Sequence, residues 1–410
     1  MSDTSHIDPL KTVIPNAVEI PWSIQWEKKN YGVRVNVERW TFLFTPIRVL
    51  LIMFTCFALC VILYRLIMGL EAVSNLNDKW PWGLWKAMAV FSGVALAGGG
   101  YFTAFLAHVL HIKRLESVSR TTMLASLLGY LLVLGALFLE IGRWFNFWPP
   151  FYSWGHASPL FEIFVCISLY TIVQVLEMCE VVTEKVFRQF HWIFVRLMPL
   201  LIIVGVMLPS MHQSSLGALY MLAEGKLHGL WWSPRLFLFF LLTSLFVGPA
   251  MLAVTSVITS KSFRRPIPLD PLRFMARIGG VLMILYLALR FGDLAYRGKL
   301  GLLTEGSFES YFFMAEILLG VVIPLFIVFS PLANFRGWLT LYGFLVSFGV
   351  FFNRSNVVIT GMWADCGVPY FPSPFEFVIA FGLVTTAVLA FLFLCENFDI
   401  LPKKEAVSGP

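Results

Sequence analysis

Apolar residues in this chain come in long unbroken blocks, such as "VLLIMFTCFALCVILYRLIMGL" at 49–70, rather than alternating with polar ones. A block of about 20 mainly apolar residues is what a helix needs to cross the hydrocarbon core of a bilayer. The pattern predicts ten spans, at 43–69, 84–111, 121–143, 159–182, 193–213, 235–259, 274–296, 311–332, 338–354 and 375–396. The ninth carries the weakest signal, because "FFNRSNVVITG" makes its end polar.

Sidedness follows from the positive charges. With the N-terminus inside, twenty of the thirty Lys and Arg fall on one side, six of them between Lys11 and Arg48. Such a bias marks the cytoplasmic side, so both termini are expected there. The loops at 70–83, 144–158, 214–234, 297–310 and 355–374 then face outward. They are rich in aromatics and Pro ("NDKWPWGLW", "WFNFWPPFYSWGH", "HGLWWSP"), which suits an interfacial aromatic belt or a docking rim for a partner.

Composition agrees with the pattern. The 410 residues are 58% hydrophobic and 13% charged, with a mean hydropathy of +0.79. A soluble domain is nearer half apolar and a quarter charged. The net charge of +6 is accounted for by the cytoplasmic excess of Lys and Arg and requires no nucleic acid. None of the six cysteines forms a CxxC or CxxCH motif, so no iron–sulfur cluster is expected in this chain. The polar first forty residues offer no cleavable signal peptide. The expected architecture is all-α: a polytopic membrane protein of about ten helices, arranged as two four-helix bundles plus two further helices. The division is a polar cytoplasmic segment 1–42, a transmembrane domain 43–398 and a cytoplasmic tail 399–410. Offset by four spans, "ALFLEIGRW" and "ALRFGDLAYR" hint at an internal repeat.

Ionisable groups inside spans are costly and mark pathways or sites. Most of them here fall in the outer third. Glu140 and Arg143, like Arg290 and Asp293, are three apart and would pair on one helix face. Glu162 lies one turn into the fourth span, His212 and Gln213 end the fifth, and Glu316, Arg354 and Glu376 sit near the outer ends of three more. Arg–carboxylate pairs can merely fix packing. Together, though, these groups resemble a site for a quinone headgroup, whose oxygens need donors and whose reduction needs protons. Deeper on the fourth span, Gln174, Glu177, Glu180 and Glu184 follow one another at near one-turn spacing, as a proton relay would. His108, His111 and His191 lie near the cytoplasmic side, where solvated or hydrogen-bonded histidines are commoner than haem ligands, so no haem is expected.

Several stretches in order resemble one family. They are "GLEAVSNLNDKWPWGLWKA", "GGGYFTAF", "SLLGYLLVLGALFLEIGRWFN", "FEIFVCISLYTIVQVLE", "LPSMHQSSLGALY" and "LRFGDLAYRGKL", with "YFPSPFEFVIAFG" further on. The chain resembles the NrfD-like, or polysulfide-reductase-C-like, membrane subunits of respiratory complexes, in their ten-helix branch. That branch includes the membrane subunits of periplasmic uptake nickel–iron hydrogenase and of the quinone reductase complex of sulfate reducers.

The resemblance implies a haem-free subunit of the bacterial cytoplasmic (inner) membrane that binds menaquinone near the periplasmic face. It further implies electron exchange with a periplasmic ferredoxin-like iron–sulfur subunit, itself joined to further redox subunits, and in some members proton translocation. On that reading Asn75, Asp78, Trp82, Glu140, Arg143, His212 and Gln213 would form the quinone chamber and its mouth. Glu162, Glu177, Ser214, Arg290 and Asp293 would carry protons, and no metal site is implied. A structural anchor for a periplasmic enzyme and a secondary transporter stay open as alternatives, although a transporter would gather its charges at mid-membrane.

Overall fold

The computed structural model describes residues 22–27, 32–37, 40–80, 82–83, 86–155, 157–264, 268–367 and 370–401. The tail at 402–410 and most of the expected N-terminal segment lie outside the described residues, as does the His108 side chain.

The chain divides into a small N-terminal unit, 1–50, and a large unit, 51–410. Within the small unit, β1 (Trp22–Glu27), β2 (Gly32–Val37) and β3 (Trp40–Phe44) form an antiparallel meander in the order β1-β2-β3. The register pairs Ile24 with Val35 and Val35 with Phe42. Its signal is the period-two alternation of "WSIQWE", "GVRVNV" and "WTFLF", the mark of a half-buried strand. This sheet is an addition to the expected all-helical plan. Because Trp40–Phe44 pairs with β2, the first span starts at Pro46 and not at 43.

Among the described residues ten helices are long and apolar enough to cross a membrane. They are α1 (Pro46–Met68), α2 (Ala87–Ala107), α3 (Lys113–Glu140), α4 (Pro159–Lys185), α5 (Arg188–Met221), α6 (Leu236–Phe263), α7 (Leu269–Tyr296), α8 (Phe308–Phe329), α9 (Arg336–Cys366) and α10 (Pro374–Asn397). Starts are set by local chemistry. Pro159 and Pro374 occupy first-turn positions, where a missing N–H costs nothing. Ser373 and Glu376 form a reciprocal capping box at the head of α10.

Helices α2–α5 pack as one bundle and α6–α9 as a second, with α10 against α3. The two most buried spans, α2 and α6, form the joint between the bundles. There Gly99 and Gly248 bring the backbones together: a Cβ on Gly99 would sit 2.9 Å from the Gly248 Cα. Close approach of this kind is how small residues let membrane helices gain van der Waals contact. The ninth span keeps its polar end inside, since Asn353, Arg354 and Asn356 are all buried in α9. The loops at 69–86, 141–158, 222–235, 297–307 and 367–373 share one side, here the aromatic side; the opposite, basic side carries Arg120, Lys185 and Arg188.

Candidate functional site

On the aromatic side a cavity of about 590 Å³ opens among α2–α5. Phe91, Leu134, Phe138, Ile163, Phe164, Leu216 and Leu219 line its membrane part, and Phe147 and Pro150 of the 141–158 loop roof it. A second cavity, of about 260 Å³, opens beside Lys79, Lys226 and Cys366. The two share Trp82 and Leu219; Tyr220 lines the second and lies edge-on to Trp82 at 5.7 Å and to Phe91 at 5.3 Å. Tyr220 comes from the last turn of α5, which runs to Met221. Apolar walls with an aromatic floor and a few polar groups at one end are the usual make-up of a small-molecule pocket.

The expected site residues separate in space. Trp82 lines the cavities, and Glu140, the last residue of α3, is buried. Arg143 does not share its helix face. The helix stops at Glu140, Ile141 is extended, and Arg143 is exposed and non-helical, so the three-residue spacing loses its meaning. Asn75 is exposed and ties loop to helix, its N–H donating to Glu376 (3.0 Å) and its amide to the Phe371 carbonyl (2.9 Å). Asp78 and Glu162 are exposed.

His212, Gln213 and Ser214 do not end the fifth helix, because apolar turns continue it to Met221. His212 and Gln213 are fully buried, and neither ring nitrogen of His212 nor either amide atom of Gln213 has a hydrogen-bond partner. Buried polar atoms are rarely left so, and each such case calls for a water, a ligand or a proton carrier.

The Arg290–Asp293 pair is not formed either. Asp293 takes Arg235 and Arg297 instead, each at 2.8 Å. Arg290 donates to the Leu230 carbonyl at 2.7 Å and lies over the Phe239 and Phe313 rings. Arg297 holds the Gly229 carbonyl at 3.1 Å, and the Trp231 indole donates to Glu316 at 3.0 Å. Glu316 also accepts from Asn353 (2.6 Å) and Asn356 (2.8 Å). The charges of the second bundle therefore clamp the 222–235 loop. In that loop burial lowers the pKa of His228, whose ring sits by Trp231.

A polar column does follow α4. At the basic side Arg120 bonds Glu184 at 2.6 and 3.1 Å and lies 3.7 Å from Glu180, in a polar cavity of about 380 Å³. One turn in, His191 meets Thr183 (3.1 Å) and the Glu180 carbonyl (3.2 Å). Glu177 is buried against Gly205 of α5. Beyond it Gln174 donates to Ser126 and to the Tyr170 hydroxyl (3.0 Å), and Tyr170 stacks edge-on with Tyr130 at 4.5 Å. Arg120, Tyr130, Tyr170 and Tyr220 were missed as site residues. A tyrosine in an apolar run reads as core, and a search for charge passes over it.

The sequence profile described as "Polysulphide reductase, NrfD" matches residues 72–364. The chain belongs to this NrfD family. Several relatives sharpen the picture. The chain is 33% identical over 349 residues to the "Probable Ni/Fe-hydrogenase 2 b-type cytochrome subunit" of Escherichia coli, covering 83% of this chain and 88% of the relative. It is 27% identical over 375 residues to the "Hdr-like menaquinol oxidoreductase integral membrane subunit" of Archaeoglobus fulgidus, covering 82% and 88%. Over 256 residues it is 27% identical to the "Menaquinone reductase, integral membrane subunit" of Nitratidesulfovibrio vulgaris, covering 56% and 58%.

The first of these names raises a b-type haem. Two imidazoles facing one cavity would be needed for bis-histidine ligation. The described histidines do not fit that requirement: His111 is exposed, His191 is engaged by Thr183, and none lines the cavities above. Among the described residues there is also no cluster of three His, Cys, Asp or Glu suited to a metal ion.

Proposed function

We propose that this NrfD-family chain is the menaquinone-interacting membrane subunit of a respiratory oxidoreductase complex, with the quinone ring in the α2–α5 cavity against Trp82 and Tyr220. The observation that carries the reading is the meeting of two cavities at Trp82 and Leu219, with the Tyr220 ring edge-on to Trp82. One is lined mostly by apolar side chains of four spans, as a membrane-dissolved quinone and its isoprenoid tail require. The other opens at the aromatic side, where a redox partner can approach. The names of the Nitratidesulfovibrio and Archaeoglobus relatives support a menaquinone substrate.

The chemistry is the exchange of two electrons and two protons between quinone and quinol, the electrons passing to or from an iron–sulfur subunit on the aromatic side, taken as periplasmic. This chain supplies position and proton routes. Tyr220, beside Trp82, and Glu140, at the end of α3, are the polar groups this reading assigns to the ring. The α4 column through Glu184, Glu180, Glu177, Gln174, Ser126 and Tyr170 is the proposed route from the basic side, which makes Glu177 the proton-carrying carboxyl. His212 and Gln213, buried on α5 without hydrogen-bond partners, would hold water within the same bundle. Arg290 and Asp293, proposed from sequence as proton carriers, are read here as loop clamps, and Arg143 and Ser214 receive no role.

The test is equilibrium binding of a short-chain menaquinone analogue to the purified chain in nanodiscs. Trp82→Ala removes an aromatic contact of about 1 kcal/mol or more and should weaken binding about 5- to 10-fold. Unchanged binding in Trp82→Ala, Tyr220→Phe and Leu216→Trp together would remove the cavity from the account and favour a structural anchor.

A further inference from the structure

We propose that the β1–β3 sheet is a membrane-surface anchor, with one face inserted into the headgroup region of the lipid leaflet in which α1 begins. The register sorts all but one of its side chains by polarity. Two cross-strand rows, Ile24–Val35–Phe42 and Trp26–Val33–Phe44, lie on one face. Residues of opposite parity form the other face, polar except for the buried Leu43 opposite Arg34, and there Asn36 bonds Ser23 (3.1 Å) and Thr41 bonds Asn36 (3.0 Å). Side chains alternate strictly across a strand, so this separation follows from the sequence.

The apolar face stays open. Trp26 is 63% exposed, Ile24 58%, Val37 43% and Phe44 39%. A contiguous apolar patch of this kind on a small sheet marks an interaction surface. Chain order identifies what covers it. One residue, Thr45, separates Phe44 from Pro46, where the first membrane helix begins. At no more than about 3.6 Å per residue, that linker cannot carry the end of β3 away from the lipid–water boundary. Exposed apolar side chains resume in the first turn of α1 at Ile47, Val49 and Leu50, around the buried Arg48.

Two further features fit a lipid surface. Tryptophan is an interface residue, with an apolar ring and one polar N–H. Residues 22–50 also carry five Lys or Arg against two Glu, a balance that favours anionic headgroups. In-plane anchors of this sort sink an apolar face about 5–10 Å into the headgroup–acyl boundary.

The test uses the full-length chain in nanodiscs containing anionic lipid, in a background with its six cysteines replaced by alanine. Single spin labels at Ile24, Gln25, Asn36 and Val37 report collisions with oxygen, which concentrates in lipid, and with a nickel chelate, which stays in water. Labels at Ile24 and Val37 should favour oxygen over nickel several-fold, and those at Gln25 and Asn36 should show the reverse. Equal nickel access on both faces would overturn the proposal. So would shielding of Ile24 and Val37 from both reagents, the mark of a protein cover. Hydrogen exchange on the unlabelled wild-type chain guards against a label that loosens the sheet. Backbone amides of 22–44 should exchange at least several-fold more slowly with anionic than with neutral lipid, and equal rates would contradict the anchor.

Discussion

Replacing Glu316 separates a structural from a chemical role for the charges of the second bundle. Its carboxylate is 3% exposed and accepts three hydrogen bonds, from Trp231, Asn353 and Asn356. Glu316→Leu would orphan all three donors, at about 1–3 kcal/mol each, since a buried donor without an acceptor loses its solvation outright. Taking the lower end, about 3 kcal/mol for the three donors, with about 2–4 °C of melting temperature per kcal/mol in a large domain, the drop should be at least about 6–12 °C. Glu316→Gln keeps one acceptor oxygen and should fall in between. The assay is thermal unfolding in detergent, followed by hydrogen exchange at Trp231, which should lose its protection in both variants. The folded fraction of Glu316→Gln should still bind a menaquinone analogue as wild type does. A Glu316→Leu protein that melts within about 2 °C of wild type, or a stable Glu316→Gln protein that no longer binds quinone, would refute the clamp.

Other outcomes follow from the same structure. Glu177→Gln should leave analogue binding unchanged but slow proton uptake from the basic side at least 10-fold in the assembled complex, measured with a pH dye inside proteoliposomes. Arg120→Ala should cost no more than about 1 kcal/mol in a melt, because Arg120 is 39% exposed and screened by water. Gly99→Val should destabilise by about 1–3 kcal/mol through overpacking against Gly248 at the bundle joint, again read by melting. Burial lowers the pKa of His228, so the folded loop keeps the ring neutral while the opened loop takes up a proton below the ordinary 6.5. The loop's stability is therefore full above pH 6.5 and declines as pH falls below it. Exchange at residues 227–232, corrected for intrinsic rates, should rise between pH 7.5 and 5.5, and His228→Gln should flatten that rise.

The fold was largely legible because the signal for a membrane helix is length and hydropathy, which do not depend on tertiary context. All ten spans lie within a few residues of their expected positions, apart from ends such as 213 against Met221 and 354 against Cys366. Those two ends share a cause: polar side chains such as His212 and Asn353 can be buried in a bundle, and hydropathy cannot tell a buried polar turn from a helix end. The sheet passed unread because its period-two alternation was weighed as a polar segment. The pairings of charges were the least legible. Glu140–Arg143 failed on one extended residue, Ile141, and Arg290–Asp293 failed because Arg235 and Arg297 from a loop edge and the next helical turn outbid Arg290. Spacing says which groups could meet on a helix, whereas loop packing decides which do.

Photolabelling is the most direct test of where quinone binds. The purified chain in nanodiscs would be irradiated with an azido-naphthoquinone and digested, and the labelled peptides sequenced. The account predicts label on peptides holding Trp82 or Phe91, Ile163 or Phe164, and Leu219 or Tyr220, suppressed by excess menaquinone analogue. Competed label confined to α6–α9, around Glu316 and Arg354, would contradict it.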